Sequence, residues 1–67
     1  MLTPSEIFIL FYTAKGYSLG EIARMRGRSI KTIESQSANL RDDLGAKSLA
    51  HALILAIQTK QLRLEDL

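Results

Sequence analysis

The arrangement of hydrophobic and polar residues predicts helices along four segments of the chain, at residues 4–15, 19–25, 30–44 and 49–59. A hydroxyl residue that can cap a helix precedes each segment; these are Thr3, Ser18, Ser29 and Ser48. Gly16 and Gly45 follow the first and third segments, and Gly27 lies in the turn before the third. The pattern therefore predicts one all-α domain of four helices over residues 1–67. Residues 60–67 are expected to extend the last helix or to fray.

The first predicted helix is apolar on more than one face. Ile9 and Leu10, with Thr13 and Ala14, follow the spacing of a core stripe. Three further apolar side chains, Ile7, Phe8 and Phe11, lie off that stripe. They are either ordinary partly exposed side chains or a surface covered by a protein partner.

The third predicted helix separates into two faces. Its apolar spacing predicts a buried face of Ile30, Ile33, Ser37, Leu40 and Leu44. The opposite face carries Lys31, Ser35, Ala38 and Asp42. Small and polar side chains allow a helix to approach the edges of bases in a groove. The segment Ser18 to Gly45 thus predicts a helix-turn-helix that offers its second helix to DNA, although an ordinary solvated face would show the same pattern.

The fourth predicted helix, LAHALILAI, is apolar nearly all round. We expect Ala50, Leu53, Ile54 and Ile57 to close the domain. The other side would then expose Leu49, Ala52 and Ala56, whose small side chains permit close approach of a second helix. The predicted dimer interface comprises Leu49, Ala52, Leu53 and Ala56. Alternatively, the first and fourth helices simply cover each other.

Composition excludes several classes of site. The chain has 67 residues, one histidine and no cysteine, so disulfides and thiolate metal sites are excluded. We expect no metal site, no catalytic residue and no cofactor, and therefore no enzyme. No apolar run approaches the roughly 20 residues of a membrane span, and the N-terminus does not resemble a signal peptide. A cytoplasmic protein with no membrane partner is expected.

Positive charge is concentrated around the predicted turn. Between Lys15 and Lys31 there are five basic residues and one acidic residue, whereas from Glu34 onward five acids face four bases. A local basic patch suits a polyanion such as DNA. A solvated helix face would explain the charge equally well.

In order along the chain, several motifs resemble the LuxR-type (GerE-like) helix-turn-helix domains of bacterial transcription regulators. The similar elements are LTPSE at the start, the triplet EIA from Glu21, the pattern S-x-K-T-I from Ser29, then Asn39, and Leu44-Gly45. The segment RSIKTIESQ is most similar to the RcsB-like branch. The resemblance covers nearly the whole chain.

The resemblance implies a sequence-specific DNA-binding regulator, or its C-terminal domain, with the third helix in the major groove. It also implies a homodimer paired through the fourth helix. Lys31 and Thr32 match positions that touch the DNA backbone, and Glu34, Ser35 and Ala38 match positions that meet base edges. Glu34 can accept a hydrogen bond from a cytosine amino group. The full predicted DNA-binding set is Arg28, Ser29, Lys31, Thr32, Glu34, Ser35, Ala38, Asn39, Arg41 and Lys47.

The sequence departs from the family at informative positions. Glu34 and Ala38 stand where basic residues are common, and Asp42 and Asp43 add negative charge. Arg26 stands where an apolar residue usually packs, and Phe8 and Phe11 where polar residues are common. These departures favour a second hypothesis, in which the domain has little affinity for DNA of its own and pairs with a related regulator through the first or the fourth helix. The candidate partner surface on the first helix is Ile7, Phe8 and Phe11.

Overall fold

The computed structural model describes residues 2–63 and residue 65. Four α-helices follow one another: α1 (Pro4–Ala14), α2 (Leu19–Arg26), α3 (Ile30–Leu44) and α4 (Leu49–Gln58). No strand occurs among the described residues. The all-α fold class predicted from the sequence is confirmed, and every helix begins and ends within one residue of its predicted bound.

The helix boundaries follow from local chemistry. The Thr3 hydroxyl accepts a hydrogen bond from the backbone N–H of Glu6, and the Glu6 carboxylate accepts one from the N–H of Thr3. This reciprocal capping satisfies two N–H groups that the helix itself leaves unpaired. At the other end of two helices, Gly27 and Gly45 adopt left-handed conformations with φ of 64° and 68°. Glycine reaches this region without the steric penalty of a β-carbon.

The core lies where α1 and α3 cross the other helices, because each of these two helices contacts all three others. Its largest fully buried side chains are Ile9, Leu10, Ile22, Ile33 and Leu40. Ser37 is also buried, at 2% exposure, as the stripe on α3 predicted. Burial of Glu6 on α1 was not predicted; its carboxylate is retained there as half of the Thr3 cap.

The prediction that Ile30 lies in the buried face of α3 is wrong, because its side chain is 50% exposed. Ile30 is the first residue of α3. At that end of the helix the side chain lies close to Gly20, near the start of α2. A β-carbon built on Gly20 would lie 3.8 Å from Ile30 Cδ1.

The predicted orientation of α4 is also wrong. Ala52 and Ala56 have no exposed surface, whereas Ala50 is exposed and Ile54 is 53% exposed. Small side chains let the α4 backbone approach α1 and α3 closely, so the alanines face inward. Two of the four predicted dimer-interface residues, Ala52 and Ala56, are therefore inaccessible to a second chain, whereas Leu49 and Leu53 are half-buried.

The chain turns back after α4 instead of extending the helix. Leu62 is buried at 4% exposure, and the Gln61 side-chain oxygen accepts a hydrogen bond of 2.8 Å from the N–H of Leu2. The prediction of a helical extension or frayed end is thus wrong for residues 60–62. Residues 64, 66 and 67 lie outside the described part of the chain. Within that part, no helix combines the length and the apolar character needed to cross a membrane.

Candidate nucleic-acid interface

The turn between α2 and α3 fixes how the second helix is presented. After Gly27, the backbone N–H of Arg28 donates to the carbonyl of Ala23 at 2.9 Å. This bond ends α2 cleanly, and Ser29 caps α3 two residues later. Ile22 and Ala23 on α2 and Ile33 on α3 are buried in one core. The two helices are therefore held as one rigid unit, with the far side of α3 turned to solvent.

All of the predicted DNA-binding residues lie at the surface. Two of them, Ala38 and Arg41, are half-buried. The exposed ones are Arg28, Ser29, Lys31, Thr32, Glu34, Ser35, Asn39 and Lys47. Because Ile33, Ser37 and Leu40 anchor the opposite side, a largely polar face of α3 is turned to solvent. We call its first three turns the α3 face: Lys31, Thr32, Glu34, Ser35, the half-buried Ala38, and Asn39. Asp42 and Asp43 are exposed beyond it, toward the end of α3.

Two hydroxyls form a small network at the start of α3. The Ser29 hydroxyl accepts from the backbone N–H of Thr32 at 3.2 Å and lies 3.0 Å from the Thr32 hydroxyl. Either oxygen can donate in the second bond. If Ser29 donates, the Thr32 hydroxyl proton remains available for an acceptor outside the protein. Such an acceptor would lie at the positive end of the α3 dipole.

Positive side chains surround this end of α3. Arg28 and Lys31 are both exposed. Within the described part of the chain, neither Arg28 nor Lys31 forms a salt bridge with a carboxylate. A helix start with unpaired cations is a favourable place for an anion such as a phosphate.

Arg41 and Lys47 lie near the other end of α3 and are more constrained. Arg41 Nε donates to the backbone carbonyl of Ser37 at 3.4 Å, which holds the side chain along its own helix. The backbone N–H of Lys47 donates to Nδ1 of His51 at 3.0 Å, and Ser48 caps α4 between them. The single histidine thus has a structural role in the α3–α4 connection.

The candidate partner surface on α1 is largely covered within the monomer. Ile7, Phe8 and Phe11 are half-buried and pack against the core. The guanidinium of Arg26 lies 4.8 Å from the centre of the Phe8 ring, and Lys15 Nζ lies 4.9 Å from that of Phe11. Cations over aromatic faces are attracted by the ring quadrupole. This covering reduces the apolar surface available to a protein partner.

In the sequence, Arg26 and Phe8 are two separate departures from the family pattern. In the structure these two side chains are in contact. Arg26 also donates to the Ser5 hydroxyl at 2.8 Å. An arginine in place of an apolar residue, together with an aromatic ring in place of a polar one, is a complementary exchange. The contact could therefore have been predicted from the sequence, because the two exchanges are chemically complementary.

Comparison with known proteins identifies relatives of this arrangement. The profile of the family described as "Bacterial regulatory proteins, luxR family" matches residues 1–56. The chain is 44% identical over 48 residues to an uncharacterized HTH-type transcriptional regulator, YuaB, of Escherichia coli strain K12, covering 72% of this chain and 14% of that protein. It is 40% identical over 58 residues to the response regulator protein VraR of Staphylococcus aureus, covering 87% of this chain and 28% of that protein. The chain thus spans less than a third of the length of these relatives. None of the solved structures matches it.

Proposed function

Since this chain belongs to the luxR family of bacterial regulatory proteins, whose helix-turn-helix is a DNA-binding transcription-regulator domain, we propose that it binds duplex DNA with α3 in the major groove. The observation that carries the proposal is the α3 face. It is polar, it is exposed along the helix, and it lies opposite a buried stripe that fixes its orientation. A bacterial regulator that binds chromosomal DNA acts in the cytoplasm.

Binding to the DNA backbone is assigned to the start of α3. Lys31 and Arg28 supply positive charge to phosphates, and the Thr32 hydroxyl donates to one when Ser29 is the donor in the bond between the two hydroxyls. Such contacts contribute affinity and fix the register of the helix without reading sequence. Lys47, exposed in the α3–α4 connection, adds a further cation.

Reading of base edges is assigned to the middle of the α3 face. Glu34, Ser35 and Asn39 are exposed and polar, and Ala38 is short enough to let the helix backbone come close to the bases. Their chemistry matches the donors, acceptors and methyl groups that the major groove displays. No catalytic step, metal or cofactor is part of this proposal.

Pairing of two domains is assigned to the exposed side of α4. Because Ala52 and Ala56 are buried, the contact would use Ala50 and Ile54, with Leu53 at the edge. A twofold interface of this kind brings two α3 helices onto two half-sites of a palindromic sequence. A homodimer on DNA is therefore part of the proposal.

A heteromeric regulator bound at Ile7, Phe8 and Phe11 is the weaker alternative. All three side chains are half-buried, and both phenylalanine rings are covered, Phe8 by Arg26 and Phe11 by Lys15. A partner would have to displace those cations to reach the rings. The unneutralised cations at the start of α3 favour DNA instead.

The test is a salt titration of binding to a random-sequence duplex, followed by fluorescence anisotropy. We expect the affinity to fall steeply as salt rises. Lys31→Gln should weaken binding to all sequences alike and reduce the slope of log K against log salt by about 1. Lys60→Gln removes the same charge from an exposed position beyond α4 and serves as the matched control.

Two results would contradict the proposal. One is the absence of binding at low salt by the folded domain. The other is an equal loss of affinity in Lys31→Gln and Lys60→Gln, since a general charge effect would not require the α3 face.

A further inference from the structure

We infer that Glu34 makes this domain selective for a cytosine in each half-site, and that Ala38 accompanies it by packing against a thymine methyl group one or two base pairs away. The inference rests on the proposed DNA binding and specifies which bases the α3 face recognises. Glu34 carries negative charge on the α3 face, where it opposes general binding to the phosphates of DNA.

The Glu34 carboxylate is available for a contact outside the protein. Glu34 is exposed, and its carboxylate forms no ion pair with another described residue. The nearest cationic residue along α3 is Lys31, three residues earlier and one helical turn away. The proposed function assigns Lys31 to a DNA phosphate. The carboxylate therefore approaches DNA without a partner of its own.

An unpartnered carboxylate is repelled by the phosphates of every sequence. It is tolerated at the bases only where a donor replaces the water that it loses. The major groove displays amino donors at N4 of cytosine and N6 of adenine. Each amino group has a carbonyl acceptor of the paired base on one side, O4 of thymine or O6 of guanine. On the other side the adenine amino group has the N7 acceptor, which repels a carboxylate, whereas the cytosine amino group has a C–H. Cytosine is thus the base that Glu34 accepts.

Ala38 lies one turn of α3 beyond Glu34. Four residues of an α-helix rise about 6 Å, and successive base pairs of one strand are about 3.4 Å apart. The two side chains therefore meet positions one or two base pairs apart when the helix follows the groove. A methyl side chain has no hydrogen bond to offer, and the methyl group of thymine is its apolar counterpart.

This arrangement produces selectivity at the expense of general affinity. Glu34→Gln removes the repulsion, so its affinity for random DNA should rise. The same change should reduce the preference for the matched site, since glutamine both donates and accepts and prefers adenine. A rise in one quantity with a fall in the other would not follow from a merely structural role of Glu34.

The test begins with selection of binding sites from a randomised duplex library by the wild-type domain. The selected cytosine is then replaced by N4-methylcytosine, which retains pairing with guanine but turns a methyl group into the groove where the amino hydrogen was. We expect wild-type affinity to fall between about fivefold and tenfold, the size of one base contact. With 5-methylcytosine, which retains the amino hydrogen, the affinity should be maintained. Glu34→Gln should lose the difference between N4-methylcytosine and cytosine.

Asp43→Asn is the matched control, because Asp43 is exposed near the end of α3 and its change removes the same charge. It should leave the preference for cytosine unchanged. Selected sites without a common cytosine, or an equal response to N4-methylcytosine in wild type and Glu34→Gln, would overturn the inference while leaving DNA binding intact. Failure of the folded domain to bind any duplex would overturn the proposed function and the inference together.

Discussion

At the scale of single residues, Arg26 shows how an exchange of side-chain types is accommodated. Its guanidinium donates to Ser5 and lies over the ring of Phe8, so one side chain on α2 contacts two positions on α1. Each departure alone would be unfavourable, because an arginine would be left facing apolar surface or a ring left uncovered. Together they join α1 and α2 at the surface above the core.

A double-mutant cycle measures this coupling. Arg26→Met keeps an apolar stem and removes the guanidinium, and Phe8→Leu keeps an apolar side chain and removes the ring. Each change should lower the free energy of unfolding, and the double variant should lose less than the sum by about 0.5–1 kcal/mol. Urea denaturation of the four proteins provides the measurement. Ser5→Ala separates the hydrogen bond from the ring contact, and strict additivity of Arg26→Met and Phe8→Leu would exclude the coupling.

At the scale of elements, two glycines with different backbone conformations should respond oppositely to alanine. Gly27 has a φ of 64°, and no atom lies within 4 Å of the position that a β-carbon would take, so only conformation opposes the change. Gly27→Ala should destabilise the domain by about 1–2 kcal/mol. Gly20 lies in α2 with ordinary van der Waals contacts around such a β-carbon. Gly20→Ala should stabilise the domain by about 0.4–1 kcal/mol. Thermal unfolding compares the two variants, and a shift of the same sign in both would contradict this explanation.

The cap at the start of α2, formed by Ser18 and Glu21, makes the stability of the domain sensitive to acid. Hydrogen bonds from the backbone and side chain of Ser18 lower the pKa of Glu21 in the folded state. A lowered folded pKa means that the ionised carboxylate stabilises the fold above the unfolded pKa, and that this contribution is lost as pH falls through the folded pKa. We therefore expect Glu21→Gln to reduce the loss of stability between about pH 5 and pH 3. Urea midpoints measured across this range test the sign; an unchanged acid dependence would contradict the assignment.

Sequence periodicity predicted the elements well because caps, glycines and apolar spacing agree at each helix end. It could not orient α4, since a helix that is apolar all round has no polar face to identify the solvent side. Side-chain size determines the orientation of α4. The small Ala52 and Ala56 face the neighbouring helices, and the larger Ile54 faces solvent. Ile30 was misplaced for another reason, because periodicity gives the direction of a side chain and not whether the core extends that far. The position of the α3 face could be predicted, since its direction is set by the buried Ile33 and Leu40.

At the scale of the whole molecule, Leu2 and the segment after α4 come together in the core. Leu2 and Leu62 are buried in the same core, and the backbone N–H of Leu2 donates a hydrogen bond to the side-chain oxygen of Gln61. In a chain of 67 residues little apolar surface can be buried, so each additional core side chain matters to stability. Among the described residues, no other helix covers the exposed side of α4, which carries Ala50 and Ile54.

If that side of α4 pairs two domains, an exposed polar substitution should separate dimerisation from folding. Ile54→Asn changes a side chain that is 53% exposed, so the helical content should be unchanged. The dimer on a palindromic duplex should weaken by tenfold or more, which corresponds to about 1.4 kcal/mol. Affinity for a single half-site should be retained, because the α3 face is untouched.

The matched control is Met25→Asn, which alters a side chain of similar exposure, 45%, on α2. Sedimentation equilibrium and binding to whole-site and half-site duplexes provide the readouts for both variants. Loss of whole-site binding by Ile54→Asn alone would assign pairing to α4, in the orientation that buries Ala52 and Ala56. Equal behaviour of the two variants would remove α4 from the interface, and the two half-sites would then have to be joined through another surface of the domain.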